Sequence, residues 1–329
     1  MASNRLDGLD ALRGIAAICV LIYHATGMPP GTAYLAVDLF FMLSGYVMAR
    51  AYEKPLGEGL GAGRFFQLRL KRLWPTMFAA GLLATPVFLW TFGLDAWPVV
   101  LTNLLLIPTP WTNRVFPLNG PAWSIFFELV ANAAHGLVLH RISTRGLVIL
   151  ALIALLFLGS YAEEAGTTGL GAVPATMIGG FPRVAFSYLV GIILFRTWQD
   201  APSIAVSPVF AFLAMPVFFG LTAVLRIEYW YTDLAFIVVV CPLVMAGGLR
   251  AQSCWPLARW AGAVSFPLYA FHAPVLRALE AAGLSMLWGI PLGLAVAAGA
   301  LWGLSAGSRW LRARQAARTV EQPLPVAAR

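Results

Sequence analysis

Charge is scarce in this sequence: Asp, Glu, Lys and Arg make up 11% of 329 residues, against roughly 25% in an ordinary soluble domain. With 60% hydrophobic side chains as well, a single water-exposed globule is excluded, and no stretch is left over for a soluble catalytic domain. Cysteine is equally sparse. Cys19, Cys241 and Cys254 are odd in number and lack paired spacing, which argues against a disulfide framework or a cysteine zinc site. The four histidines have no ligand spacing with nearby cysteines or carboxylates, so no metal site is expected. A cleavable leader is not expected either. The first apolar run carries Arg13 and has no small-residue cleavage site at its end, so it is expected to stay as a first helix.

What is present is a series of apolar runs of about 17 to 25 residues, and a bilayer core needs about 20 helical residues per crossing. The sequence therefore predicts an all-α, polytopic integral membrane protein. About ten spans are expected, near 10–27, 33–51, 73–92, 121–140, 146–162, 183–198, 207–225, 231–249, 257–279 and 284–306, as a domain over 1–306 with a basic tail at 307–329. The apolar stretch 97–108 is short and surrounded by Pro98, Pro108, Pro110, Pro117 and Pro121, so it reads as a re-entrant or surface segment. The formal charge of +8 sits between spans and in the tail, where topology and lipid headgroups explain it better than nucleic acid. With ten spans and both termini cytoplasmic, all but Arg114, Arg183, Arg226 and Arg277 of the 22 basic residues fall inside, the expected bias. No internal repeat of the transporter kind is visible.

Ionisable residues inside spans mark candidate functional positions. In LRGIAAICVLIYH, Arg13 and His24 are eleven residues apart, close to three turns, so they share a helix face about 16 Å apart along the axis. Asp38 in the second span and Glu128 in the fourth fall at a depth comparable to His24 by residue counting. A carboxylate near an imidazole orients it and raises its basicity, as a general base requires. The plainer readings are that His24 knits helices together, that Asp38 partners an arginine, and that Glu128 mates with Asn132. In the ninth span Tyr269 and His272 are neighbours on one face, which is also what a kinked helix with a core histidine would show. His135 and His140 approach the inner end of the fourth span and receive no role. GRFFQLRLKRLWP interleaves Arg64, Arg69, Lys71 and Arg72 with Phe65, Phe66, Leu68 and Leu70. It reads either as an interfacial helix on anionic lipid or as a phosphate-recognition cluster.

Arg13 with His24, VDLFFMLSG (37–45), RLKRLWP (69–75), AWSIFFEL (122–129) and SFPLYAFHAPV (265–275), in that order, resemble the membrane acyltransferase family three over essentially the whole chain. The resemblance implies about ten spans in a cell membrane, the bacterial inner membrane for such a chain. It implies transfer of an acyl group, most often acetyl, from acyl-coenzyme A to a hydroxyl of a cell-surface or secreted carbohydrate. It maps the family's arginine and histidine onto Arg13 and His24, and its basic motif onto Arg69 and Arg72. Two departures stand out: only Glu128 follows Trp123 and Ser124 where paired acids are frequent, and this sequence ends in a basic tail where many bacterial members continue into a hydrolase-like domain.

The expected roles are therefore His24 as general base with Asp38 or Glu128 orienting it, and Arg13, Arg69, Lys71 and Arg72 on the phosphates of acetyl-CoA or another acyl-CoA. Ser124, Tyr269 and His272 are expected near the acceptor. No tightly bound cofactor is expected, and the partners are acyl-CoA, a carbohydrate and the bilayer, with an envelope polysaccharide assembly protein as a further option. Direct transfer and an acyl-enzyme relay through Ser44 or Ser124 both remain open. So do a proton-coupled transporter and a non-catalytic assembly partner. The RLKRLWP segment favours the enzyme, because a transporter has no particular need for a phosphate-binding mouth.

Overall fold

The computed structural model describes residues 6–27, 31–251 and 256–320. Arg5, Cys254 and residues 321–329 of the basic tail lie outside them. The elements are α1 (Asp7–Ala25), α2 (Ala36–Gly57), α3 (Ala62–Phe92), α4 (Trp97–Leu104), α5 (Ala122–Leu137), α6 (Thr144–Ala165), α7 (Gly180–Trp198), α8 (Pro208–Leu225), α9 (Trp230–Ala235), α10 (Cys241–Arg250), α11 (Pro256–Ala281) and α12 (Gly289–Val320). A π turn over Phe236–Val240 joins α9 to α10. Among the described residues there is no strand.

Seven helical stretches are long and apolar enough to cross a membrane: Asp7–Ala25, Ala33–Gly57, Ala62–Phe92, Thr144–Ala165, Pro208–Leu225, Trp230–Arg250 and Met286–Leu304. The chain is a multi-pass membrane protein. The spans expected at 121–140, 183–198 and 257–279 are helical too, as α5, α7 and α11, but they fall outside that set. α5 has 16 residues, and α7 and α11 carry Arg183, Arg196, Arg259 and Arg277. These three helices supply much of the polar interior, with Ser124, Asn132 and His135 buried on α5, Arg183 and Ser187 on α7, and Ser265 and His272 on α11.

Burial grades the bundle from centre to rim. In α2, 72% of the apolar window is buried, against 17% for the stretch leading into α12 and 22% for α8. The rim exposes Leu156, Val224 and Trp302, side chains that suit contact with acyl chains. At the centre, α2 and α7 touch through glycine. A Cβ on Gly45 would collide with the Tyr188 carbonyl oxygen, and one on Gly191 with the Met42 carbonyl oxygen. Small residues at such crossings let helix backbones approach where no hydrophobic drive operates. Gly45→Ala is accordingly expected to destabilise the protein by about 1–3 kcal/mol through overpacking, read as a lower unfolding temperature in detergent.

Helix directions follow from paired contacts. α1 and α11 run parallel, with Asp7 bonded to Arg259 near their starts and His24 against His272 further along. α2 and α7 are also parallel, with Asp38 on Arg183 and Glu53 on Arg196. α3 and α5 are antiparallel, since Arg69 meets Glu128 while Phe65 meets His135. Parallel α2 and α7 require an even number of reversals between them, which α3, α5, α6 and α7 supply if α4 does not reverse the chain. At eight residues, α4 spans about 12 Å, short of a crossing.

α3 differs from the expected arrangement of an interfacial segment followed by a separate span. It is one helix of 31 residues that runs through Pro75 and Pro86, about 46 Å long at 1.5 Å per residue. The basic cluster is thus rigidly continuous with the apolar half. Arg69 and Arg72, three residues apart, share a face, whereas Lys71 points to another and is exposed.

Candidate active site

A cavity of about 300 Å³ opens between α1, α2, α3, α5 and α11. Its basic end holds Arg13 from α1 and Arg69 and Arg72 from α3; its walls include Val37, Phe40 and Val47; its far end holds Ser124 and Tyr269. Arg13, Arg69, Arg72, Glu128, Ser124 and Tyr269, all expected at a site, are thus brought together. Lys71 does not line the cavity.

Glu128 stands at the basic end. Its Oε1 accepts from Ser44 Oγ at 2.7 Å and from Arg69 Nη2 at 3.2 Å. It shares no hydrogen bond with His24, and Asn132, its expected mate, instead accepts from the Tyr188 hydroxyl at 3.2 Å. Glu128 therefore holds an arginine in place. Arg69 is 5% exposed and its Nε finds no protein partner, so a buried donor remains free at the cavity.

At the far end the Ser124 and Tyr269 hydroxyls lie 2.7 Å apart, and Ser124 Oγ donates to the Pro121 carbonyl at 3.0 Å. Behind Tyr269 come the two histidines. The His272 ring centroid is 5.7 Å from that of Tyr269 and 4.9 Å from that of His24. His24 Nδ1 lies 2.9 Å from the Val20 carbonyl, and His272 Nδ1 lies 2.8 Å from the Tyr269 carbonyl. A carbonyl only accepts, so each Nδ1 carries the proton and each Nε2 presents a basic lone pair. His272 Nε2 is buried and unpartnered. His24 is oriented by its own helix backbone, one turn back, rather than by a carboxylate.

Asp38 lies elsewhere than the depth count suggested. Its carboxylate is fully buried and accepts from Arg183 Nη2 at 2.6 Å and Nε at 3.0 Å. Arg183 also donates to the carbonyls of Leu170 and Tyr34 and stacks its guanidinium over Trp123 at 5.3 Å. Both charges are satisfied within one network, so Asp38 has the arginine partnership that was its plainer reading. The network extends through Tyr34, whose hydroxyl donates to Asp233 at 2.6 Å. Neither Arg183 nor Asp233 was singled out from sequence. The available signal was a charge placed in an apolar run, but which charges pair across 145 residues is not written in local spacing. His135, expected near the inner end of its span and given no role, is buried, with Nδ1 3.2 Å from the Tyr188 hydroxyl.

The fold and cavity define a helical membrane protein with an arginine-lined cavity inside its bundle. The family model described as "Acyltransferase domain" (acyltransferase family three) matches residues 6–306. The chain belongs to this family and is an acyltransferase. Protein 2 in the picA locus of Rhizobium radiobacter is 40% identical over 151 residues, 39% of this chain and 78% of that protein. The putative peptidoglycan O-acetyltransferase YrhL of Bacillus subtilis is 23% identical over 326 residues, 82% of this chain and 48% of that protein. The O-acetyltransferase OatA of Staphylococcus aureus is 36% identical over 74 residues, 22% of this chain and 12% of that protein. The chain thus spans less than half the length of YrhL and OatA. No solved structure matches.

Proposed function

We propose that this chain is an O-acyltransferase that moves an acyl group, acetyl above all, from cytoplasmic acyl-CoA to a hydroxyl of a cell-surface or secreted carbohydrate. The observation that carries the reading is the single cavity with three arginines at one end and the Ser124–Tyr269 pair at the other, backed by His272 and His24. In this reading α1, α2, α3, α5, α6, α7, α8, α9 with α10, α11 and α12 each cross a bacterial inner membrane once, with both termini on its cytoplasmic side. The parallel pairing of α1 with α11 and of α2 with α7 supports this parity, as does the bias of basic residues. The segment 307–329 then forms a basic cytoplasmic tail.

In this reading Arg13, Arg69 and Arg72 bind the donor's phosphates, for which guanidinium forks are suited. Glu128 fixes Arg69, and the pantetheine arm runs along the apolar walls toward Tyr269. His24 Nε2 accepts the proton of the acceptor hydroxyl as its oxygen bonds to the thioester carbonyl carbon. The C–S bond breaks, and the proton passes from His24 to the departing thiolate, leaving an ester and free coenzyme A. Donor binding then depends on the fork: Arg69→Ala is expected to raise the KM for acyl-CoA about tenfold or more, since hydrogen bonds to charged groups contribute about 1.5–3 kcal/mol. Lys71→Ala should have the smaller effect. The governing test follows free thiol from acetyl-CoA in nanodiscs, with and without a panel of glycans. Glycan-dependent thiol release supports the transferase; substrate flux with no thioester consumed identifies a transporter instead.

A further inference from the structure

A proline interrupts the backbone of α11 beside the site. Pro274 lies inside the helix; it has no N–H for the carbonyl four residues back, and its ring crowds that carbonyl, so the Ala270 oxygen loses its helical donor. Ala270 is fully buried, and an unsatisfied carbonyl inside a membrane is costly. The donor comes from outside the helix. Asn119 Nδ2 donates to the Ala270 carbonyl at 3.1 Å. A carbonyl only accepts, so this contact fixes which way the amide points. Asn119 is 4% exposed and its Oδ1 has no protein partner among the described residues, which makes the Ala270 bond the amide's one direct hold.

Both ends of this bond are anchored. Leu118, next to Asn119, donates its N–H to Asn103 Oδ1 at 3.1 Å and accepts from Arg277 Nη1 at 2.9 Å. The Asn119 carbonyl accepts from the Ala122 N–H at 2.9 Å, in the first turn of α5 and two residues before Ser124. On α11, Ala270 follows Tyr269, whose hydroxyl meets Ser124 at 2.7 Å and whose carbonyl holds His272 Nδ1 at 2.8 Å. One residue therefore clasps the start of α5 by its backbone and the proline-weakened turn of α11 by its side chain, where the two helices bring Ser124, Tyr269 and His272 together.

Resting on the transferase reading, we infer that Asn119 is a positioning residue for the transfer. Its amide sets the rotation of α11 at Ala270, and through that backbone the placing of the Tyr269 hydroxyl and the His272 imidazole against Ser124 and His24. A displacement of about 1 Å at reacting groups can cost about 10²-fold, so loss of this bond acts on turnover.

Pro274 supplies the control, because Pro274→Ala returns an N–H to the Ala270 carbonyl, whose oxygen can accept two hydrogen bonds. Wild type, both single variants and the double variant are purified full-length in nanodiscs. They are compared by thermal unfolding and by thiol release from acetyl-CoA with a panel of glycans. Asn119→Ala is expected to lower kcat about 10- to 100-fold, with the KM for acetyl-CoA little changed, and to lower the unfolding temperature. Pro274→Ala alone should keep transfer. The double variant should recover the unfolding temperature but not the turnover, since its carbonyl is satisfied while α11 is no longer tied to α5; it also carries the test if Asn119→Ala alone does not fold. Unchanged kcat without the amide, or turnover that returns with stability in the double variant, overturns the inference. So does a Pro274→Ala protein that loses transfer as fully as Asn119→Ala. A reporter that needs no reaction separates the two claims: with Tyr269 ring-fluorinated, its fluorine NMR line should shift or split in Asn119→Ala and in the double variant. An unmoved line in both overturns the inference in an active enzyme, whereas a moved line in a protein that consumes no thioester keeps the clasp and removes the transferase.

Discussion

His24→Ala is expected to lower acyl transfer by about 10²- to 10⁴-fold, the usual contribution of a positioned general base, with protein abundance and unfolding temperature nearly unchanged. The second half of that statement follows from placement. The His24 side chain is half-buried and its one hydrogen bond is to the backbone of its own helix, at Val20, so its removal leaves no distant group unsatisfied. His24→Gln keeps a polar side chain of similar reach but supplies no base, and it should fail as badly. The neighbouring histidine makes the experiment discriminating, because His272 presents the same tautomer 4.9 Å away. If His24→Ala retains transfer while His272→Ala loses it, the base is His272. If both retain it, neither imidazole takes part in the chemistry. Thiol release and glycan acylation should be followed together, so that hydrolysis of the thioester by water is not mistaken for transfer.

The largest effect on folding is expected at Arg183. Arg183→Ala leaves the Asp38 carboxylate buried without its cation, a change that typically costs about 3–5 kcal/mol. It also strips donors from the Leu170 and Tyr34 carbonyls. Asp38→Ala should be comparably damaging, because Arg183 is 1% exposed. Replacing both charges at once, as Asp38→Leu with Arg183→Met, removes the imbalance and should recover a large part of the loss. Thermal unfolding in detergent micelles reads all three variants. Full activity in a folded Asp38→Asn protein would exclude Asp38 from the chemistry. Lost activity with unfolding unchanged would return it to the site as a positioning residue.

Hydropathy made the helices legible, because a bilayer forces each crossing to satisfy its backbone internally over a fixed length. Residue counting also gives depth along each helix, and on depth alone His24, Asp38 and Glu128 belonged together. Rotation about the axis is what counting does not give. Asp38 faces α7 and meets Arg183; Glu128 faces α3 and meets Arg69. The basic cluster was legible as a phosphate-binding candidate, but its continuity with the third span was not, since Arg64, Arg69, Lys71 and Arg72 lower the hydropathy by which a span is marked, although the helix then runs on through Pro75 and Pro86. Neighbouring helices tolerate such prolines by re-satisfying the freed groups. Tyr269 and His272 were legible as one face. Their junction with His24 comes from close packing of α1 on α11, where a Cβ on Gly14 would collide with Ala261, and that with Ser124 from α5 meeting α11.

The Ser124–Tyr269 contact has a bearing on permeability. These two side chains, 2% and 5% exposed, lie between the arginine-lined cavity and the histidine pair. The transfer proposed above hands an acyl group from one face of the membrane to the other, which has to happen without shunting the proton gradient. In that proposal two hydroxyls joined at 2.7 Å close the end of the cavity with a contact that one reactant can part and bulk water cannot flood. Small side chains at both positions would turn a guarded relay into a leak, and the cell would register that as lost membrane potential even where acylation persisted.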